Sequence, residues 1–261
     1  MKYLLGQLPV LVKGLGTRAI LLLDYDGTLV PIFQKPELAV LSWDMKELLK
    51  SLAKHLKVGI ISGRSLTEVK KLVGLTNIYY AGNHGLEIEG PGVRLLRPEA
   101  ERARPTVAEI CERLQGRLGR MKGAIIEEKG LTASIHYRLV RRRELKDLGK
   151  IFLEVVKPYI KSGEIRVTHG KKVFEIRPNI DWNKGKAVIW IINVVDPDSK
   201  LKPIYIGDDE TDEDAFMAIK KIGITILVSE KRKRSHAEFF LRNVSEVKIF
   251  LKELAEKNNY E

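Results

Sequence analysis

The sequence predicts an α/β protein: a doubly wound parallel sheet with helices on both faces, into which a smaller α+β unit is inserted. Three observations carry this. Short aliphatic runs alternate with amphipathic stretches towards both ends of the chain, the rhythm of parallel strands joined by crossover helices. Residues 19–23, AILLL, contain no polar member, so both faces of that strand must be covered. In the middle of the chain the rhythm gives way to strands that alternate apolar with polar residues, as sheets with one polar side do. Residues 1–83 and 178–261 are therefore assigned to a core, and 84–177 to an inserted α+β domain.

The elements follow in order. After AILLL, the stretch SWDMKELLKSLAKHL puts Met45, Leu48, Leu49, Leu52 and Leu56 on one helical face, with Ser42 in the N-cap position. VGII is the second strand. SLTEVKKLV opens on a capping box, Ser65 with Glu68, and leads to a third strand in IYYAG. Beyond residue 84, LEIEGPGVRLL predicts a hairpin turning on Gly90, Pro91 and Gly92, followed by a charged helix from Glu99 to Arg120. LTASIHYR sends Leu131, Ala133, Ile135 and Tyr137 to one face and Thr132, Ser134, His136 and Arg138 to the other. That is a sheet with one polar side, and on the later strand KKVFEIRP the face shared by Lys171, Val173 and Glu175 is either a polar groove or solvated surface. The helix RELKDLGKIFLEVVKPYI and the strands EIRVT and KKVFEIRP complete the insert. The parallel pattern then resumes: helix NKGKAVIWIINVV, strand PIYIGDD, helix TDEDAFMAIKKI, strand GITILV and helix SEVKIFLKELAEK.

Composition narrows the class. With 44% apolar residues the chain can fill a sizeable core, and its formal charge of +12 favours anionic partners. A single cysteine, Cys111, excludes an internal disulfide; on the helix face AEICERL it reads as a buried, inert thiol and suits a reducing cytoplasm. Gln7, Pro9 and Lys13 interrupt the apolar opening segment, which argues against a secretory leader, and no run approaches the roughly 20 apolar residues of a membrane span. A nucleic-acid-binding module using the KRKR run at 231–234 is the competing class. Against it, the basic residues are spread along the chain with no interleaved aromatic platform. GLGTRA at Gly14 spells a nucleotide-binding fingerprint but precedes its strand instead of following it.

The chemistry gathers at strand ends. In open parallel sheets ligands bind beyond the carboxyl ends of the strands. Here those ends carry Asp24 and Asp26, then Ser62, then Asn83 and His84, and later Asp208 and Asp209. Three or more carboxylates brought together repel one another unless a cation sits among them, and Mg2+ is the hard, oxygen-seeking ion that fits. A carboxylate can also act as a nucleophile towards phosphorus. A calcium loop over residues 208–216 is discounted, because Glu213 occupies the position where such a loop needs glycine.

DYDGT at 24–28, the serine of ISGR, the lysine of NKGKA and GDDETD at 207–212 resemble, in order and spacing, the motifs of the haloacid dehalogenase superfamily of phosphatases. More narrowly, AGNHGLEI, EEKGLTASIHYR, KKVFEIRP and GDDETDEDAF resemble blocks of the trehalose-6-phosphate phosphatases, from about Ile20 to Val228. The resemblance implies a Rossmann-like core with a cap domain. It implies a Mg2+-dependent hydrolysis of trehalose 6-phosphate through an aspartyl-phosphate, with sucrose phosphate or mannosylglycerate phosphate as alternative substrates. Asp24 would be the nucleophile and Asp26 the acid and base. Asp24, the Asp26 carbonyl and Asp208 would hold the metal, with Asp209 and Asp212 supporting. Ser62 and Lys184 would contact phosphate, Lys186 being the second candidate for the lysine role. Glu127, Lys129, Arg138, Lys171 and Glu175 would meet the sugar, with Arg64 and His84 nearer the core. The partner implied is a small sugar phosphate, with no nucleic acid, membrane or obligate protein partner.

Overall fold

The computed structural model describes residues 1–8, 18–231 and 233–258. Residues 9–17, with most of the opening segment's interior and the start of GLGTRA, lie outside them, as does Arg232 of the basic run. The aliphatic run becomes β2 (Ala19–Leu23), buried at every position. Its sheet has nine strands, the others being β1 (Lys2–Tyr3), β3 (Lys57–Ile61), β4 (Tyr79–Gly82), β5 (Glu87–Gly90), β6 (Val93–Leu96), β11 (Lys202–Gly207), β12 (Ile224–Val228) and β13 (Phe239–Leu241). Their spatial order is β1-β13-β12-β11-β2-β3-β4-β5-β6. Neighbours from β1 across to β4 are parallel, and β5 returns antiparallel to β4. The chain leaves β2 towards β3 and β4, then resumes on the other side with β11 and β12. The order thus reverses between β2 and β11, where such sheets open a crevice.

Among the described residues the helices named here are α1 (Trp43–Leu52), α2 (Leu66–Val73), α3 (Pro98–Leu118), α4 (Leu145–Lys161), α5 (Lys184–Val195), α6 (Glu210–Ile219) and α7 (Val244–Asn258). Alternation along β2 explains the double winding. Leu21 and Leu23 join a cluster with Met45 and Leu49 of α1 and Phe250 of α7. Ile20 and Leu22 join Val188 and Ile191 of α5 and Phe216 of α6. At the start of α1, Ser42 has the extended N-cap backbone, but its hydroxyl turns to Asp44, whose carboxylate accepts from the Met45 N–H at 2.9 Å. Ser65 does cap α2, accepting from the Glu68 N–H at 3.2 Å.

Two compact units emerge, Met1–Leu95 with Trp182–Glu261, and Leu96–Asp181. The expected insert began at residue 84. The difference is the hairpin: β5 pairs with β4, Ala81 opposite Ile88, so it extends the large sheet. Residues 84–95 give a clear turn signal, but nothing in their own pattern says which sheet they join. The second unit holds a sheet of β7 (Ile125–Glu128), β8 (Ala133–His136), β9 (Ile165–Gly170) and β10 (Val173–Pro178), in the order β7-β8-β10-β9 and antiparallel throughout. α3 and α4 cover one face through Val107, Leu114, Phe152 and Val156, packed with Ala133 and Ile135.

Candidate active site

Pairing continues one residue past β2: the Asp24 N–H donates to Ile206 O at 2.9 Å. Asp24 therefore stands beside the end of β11, where Asp208 follows Gly207. Tyr25 turns the opposite way into the core, its hydroxyl donating to Ala39 O at 2.8 Å, and Asp26 follows in the turn. Gly27 has a φ of 91°, and a Cβ there would overlap the Asp208 carboxylate. Only glycine lets the turn lie against that side chain. Asp24, Asp208 and Asp212 each offer an oxygen within 4.8 Å of the others, and all three are buried.

Helix termini supply the rest. Asp209 is the N-cap of α6, accepting from the N–H groups of Thr211 and Asp212, while the Asp212 carboxylate accepts from the Asp209 N–H at 3.0 Å, a reciprocal capping box. Asp212 also accepts from the Asp208 N–H (2.8 Å), the Tyr205 hydroxyl (2.7 Å) and Lys184 Nζ (2.7 Å). Four donors thus converge on its two oxygens, so Asp212 braces the cluster. Asn183 caps α5 by accepting from the Lys186 N–H, which places Lys184 at the first helical position, 2% exposed. Gly185 follows because a Cβ there would overlap the Asp214 carbonyl oxygen of α6. The close approach carries Lys184 Nζ to 2.7 Å from Asp24 Oδ1 as well as to Asp212, and to 4.0 Å from Asp209. Lys186 is exposed, and its backbone serves the cap.

The electrostatics are lopsided. Burial pushes the Asp24 carboxyl well above its usual range, Lys184 pulls it down, and Asp212, Asp208 and Asp209 push it up again. Burial alone would lower the Lys184 ammonium, but Asp212 and Asp24 hold it well above its ordinary value. Four carboxylates face one buried ammonium, all with hard oxygen donors; the excess negative charge is what a hard divalent cation would balance. The cluster can hold a metal.

Ser62 follows β3, 1% exposed, its Oγ accepting from the Arg64 N–H at 3.1 Å. Asn83 and His84 follow β4 with φ of 49° and 58°, a left-handed pair that side chains rarely adopt and that marks stored strain. His84 lies over Gly63; against burial, the Asp209 carboxyl is held low by Lys184 first, then by its bonds to Thr211 and Asp212, and least by His84. Arg64 is engaged within the protein: its guanidinium meets Asp26 at 2.7 and 2.9 Å, Pro36 O at 3.0 Å, and Glu68. Of the basic run, Lys233 donates to Asp208 O at 2.9 Å, so this part of the charge cluster is tied to the acidic loop. Among the described residues no helix is long and apolar enough to cross a membrane.

In the second unit, Glu127, Ser134 and Glu175 lie opposite one another across β7, β8 and β10. Glu175 pairs with Lys129 at 3.8 Å and with Arg177 at 3.1 Å, and Glu127 meets His136 at 2.7 Å. Arg138 donates to Lys171 O at 2.6 Å. Thr132 and Ser134 are buried, whereas Lys171 is exposed and Val173 and Glu175 are half-buried. Ser134, which the alternation placed on the polar face, and Arg177 both meet Glu175; Arg177 was not singled out by sequence, because an arginine ending a strand carries no signal of its own.

The trehalose-phosphatase family profile matches residues 22–245. Trehalose 6-phosphate phosphatase RA3 of Zea mays is 36% identical over 266 residues, covering 95% of this chain and 73% of that protein. Probable trehalose-phosphate phosphatase E of Arabidopsis thaliana is 38% identical, with coverage of 95% and 73%. Among solved structures, a trehalose-6-phosphate phosphatase related protein superposes with a TM-score of 0.80 at 26% identity, over 93% of this chain and 99% of its own. The C-terminal domain of trehalose-6-phosphate phosphatase from C. albicans gives 0.79 at 25%, over 95% and 96%. With a profile match over most of its length and relatives this similar, the chain, whose acid-rich crevice lies between β2 and β11, belongs to the trehalose-phosphatase family.

Proposed function

We propose that this protein hydrolyses trehalose 6-phosphate to trehalose and phosphate, a reaction of trehalose biosynthesis, with the phosphoryl group carried in between on Asp24. The observation that carries the reading is the buried Asp24 carboxylate, bonded to Lys184 at 2.7 Å with Asp208 beside it, at the strand-order reversal of a family fold. Asp24 attacks phosphorus in line, the phosphorus–oxygen bond to the sugar breaks, and Asp26 gives its proton to the departing oxygen. Water then attacks the phosphoryl group; Asp26 takes one of its protons, the Asp24–phosphorus bond breaks, and phosphate leaves. Lys184 orients Asp24 and offsets phosphate charge, and Ser62 donates to a phosphate oxygen. Such transfers depend mainly on positioning and charge neutralisation, so this set suffices.

Mg2+ suits these donors: Asp24, Asp208 and the Asp26 carbonyl would hold it, Asp209 and Asp212 would brace them, and the ion would offset charge on the phosphate oxygens. We assign sugar recognition to the polar face of the four-stranded sheet, through Glu127, Lys129, Arg138, Lys171 and Glu175. Purified protein with Mg2+ should release phosphate from trehalose 6-phosphate, and Asp24→Asn should reduce release to background. Full activity in Asp24→Asn would overturn the mechanism. Faster release from sucrose phosphate or mannosylglycerate phosphate would move the substrate assignment without touching the chemistry.

A further inference from the structure

We infer that Arg64 is a positioning residue that fixes the Asp26 carboxylate, and that it does not contact substrate; the inference rests on the reading of Asp26 as the proton-transfer group. The arginine Nε–H donates to Asp26 Oδ2 at 2.7 Å and Nη2 donates to Oδ1 at 2.9 Å, so both oxygens are gripped by a planar fork. Nη2 also donates to Pro36 O at 3.0 Å, and Nη1 to the Glu68 carboxylate. Four of the five N–H donors of a guanidinium are thereby committed. The Arg64 side chain is 6% exposed and its Cζ lies 5.5 Å from the centre of the Tyr25 ring. A hydroxyl of a sugar has almost nothing left to bind there.

Asp26 is the opposite case, with 38% of its side chain exposed. Each carboxylate oxygen has about two lone-pair sites, and the fork takes one on each. The other stays open for the proton that passes to the sugar oxygen or comes from water. An aspartate on a turn would otherwise sample several rotamers, and a misplacement of about 1 Å can cost about 100-fold in rate. Glu68 and Pro36 hold the fork from two further segments, so the orientation of Asp26 is set by a frame it does not belong to.

The test is a double-mutant cycle on kcat/KM, run with trehalose 6-phosphate and with p-nitrophenyl phosphate. Arg64→Ala should lower kcat/KM for the sugar phosphate by about 100-fold. Asp26→Asn should lower it at least as far, and Arg64→Ala added to Asp26→Asn should cost less than about 3-fold more, because the effect passes through Asp26. Glu68→Gln, a milder change that leaves the fork in place, should cost a few-fold in the wild type and nothing in Asp26→Asn, and it serves if Arg64→Ala melts early. In an inert Asp24→Asn background, calorimetry should give the same Kd for trehalose 6-phosphate with and without Arg64→Ala. Additive losses, or a Kd weakened more than about tenfold by Arg64→Ala, would make Arg64 a ligand contact and overturn the inference. Turnover of the aryl ester alone would strike the sugar assignment and leave the cycle to be read on that ester; an Asp26→Asn with full activity, or no turnover of either ester, overturns both readings.

Discussion

At the scale of single residues, the buried ammonium of Lys184 is the least replaceable charge in the site. Lys184→Met leaves Asp24 and Asp212 buried without their shared cation, a change worth about 3–5 kcal/mol of stability when one partner of a buried pair is lost. It also removes a preorganised donor, and kcat should fall about 100- to 1000-fold; chemical denaturation and a phosphate assay check the two separately. Gly27→Ala should unfold at a lower temperature by strain of about 1–3 kcal/mol and bind Mg2+ more weakly by calorimetry, because the new methyl group displaces Asp208. Asp24 and Asp208 were legible in the sequence as strand-end carboxylates because each follows an aliphatic run. The choice between Lys184 and Lys186 was not, since it turns on the Asn183 cap and on how closely Gly185 lets α5 approach α6. Tyr205 was invisible for another reason: inside PIYIG it counts as one more apolar residue, and only the fold reveals that its hydroxyl is spent on Asp212.

Secondary elements bury several titratable groups in forms that cannot ionise cheaply. Burial pushes the hydroxyls of Tyr25 and of Tyr80 on β4 up to about 12, and the thiol of Cys111 on the inner face of α3 up to about 12. Each raised value means that, above the ordinary value, the unfolded chain loses the proton while the folded one keeps it. The stability these three groups contribute is therefore at its full level below about pH 8.5 and declines as pH rises towards 12. Denaturation midpoints at pH 8, 10 and 11 should fall in that order, and Cys111 should react with a thiol reagent only once the protein unfolds. The helices and central strands were readable from period alone, but β1 and β13 have two and three residues and carry no period. The capping box at Asp209 was hidden for a different reason. Its two acids, Asp209 and Asp212, read as supports of a metal site, whereas Asp209 accepts from the Thr211 and Asp212 N–H groups and Asp212 from those of Asp208 and Asp209.

For the molecule as a whole, a divalent ion that binds only the folded state adds stability by mass action, about 2.7 kcal/mol at 100 times its Kd. Mg2+ should raise the Tm by several degrees, and Asp208→Asn should abolish the rise; an equal shift in that variant would place the ion elsewhere. The larger unit is assembled from two stretches of chain, Met1–Leu95 and Trp182–Glu261, with the smaller unit between them. On a ribosome this imposes a delay. β2 emerges with its nucleophile, but the neighbour that covers its other edge, β11, is complete only at Gly207, 184 residues after Leu23, roughly 9–37 s later at about 5–20 residues per second. During that interval a fully apolar strand has one unsatisfied side, an edge open to wrong pairing, and the nucleophile waits without Lys184 or Asp208.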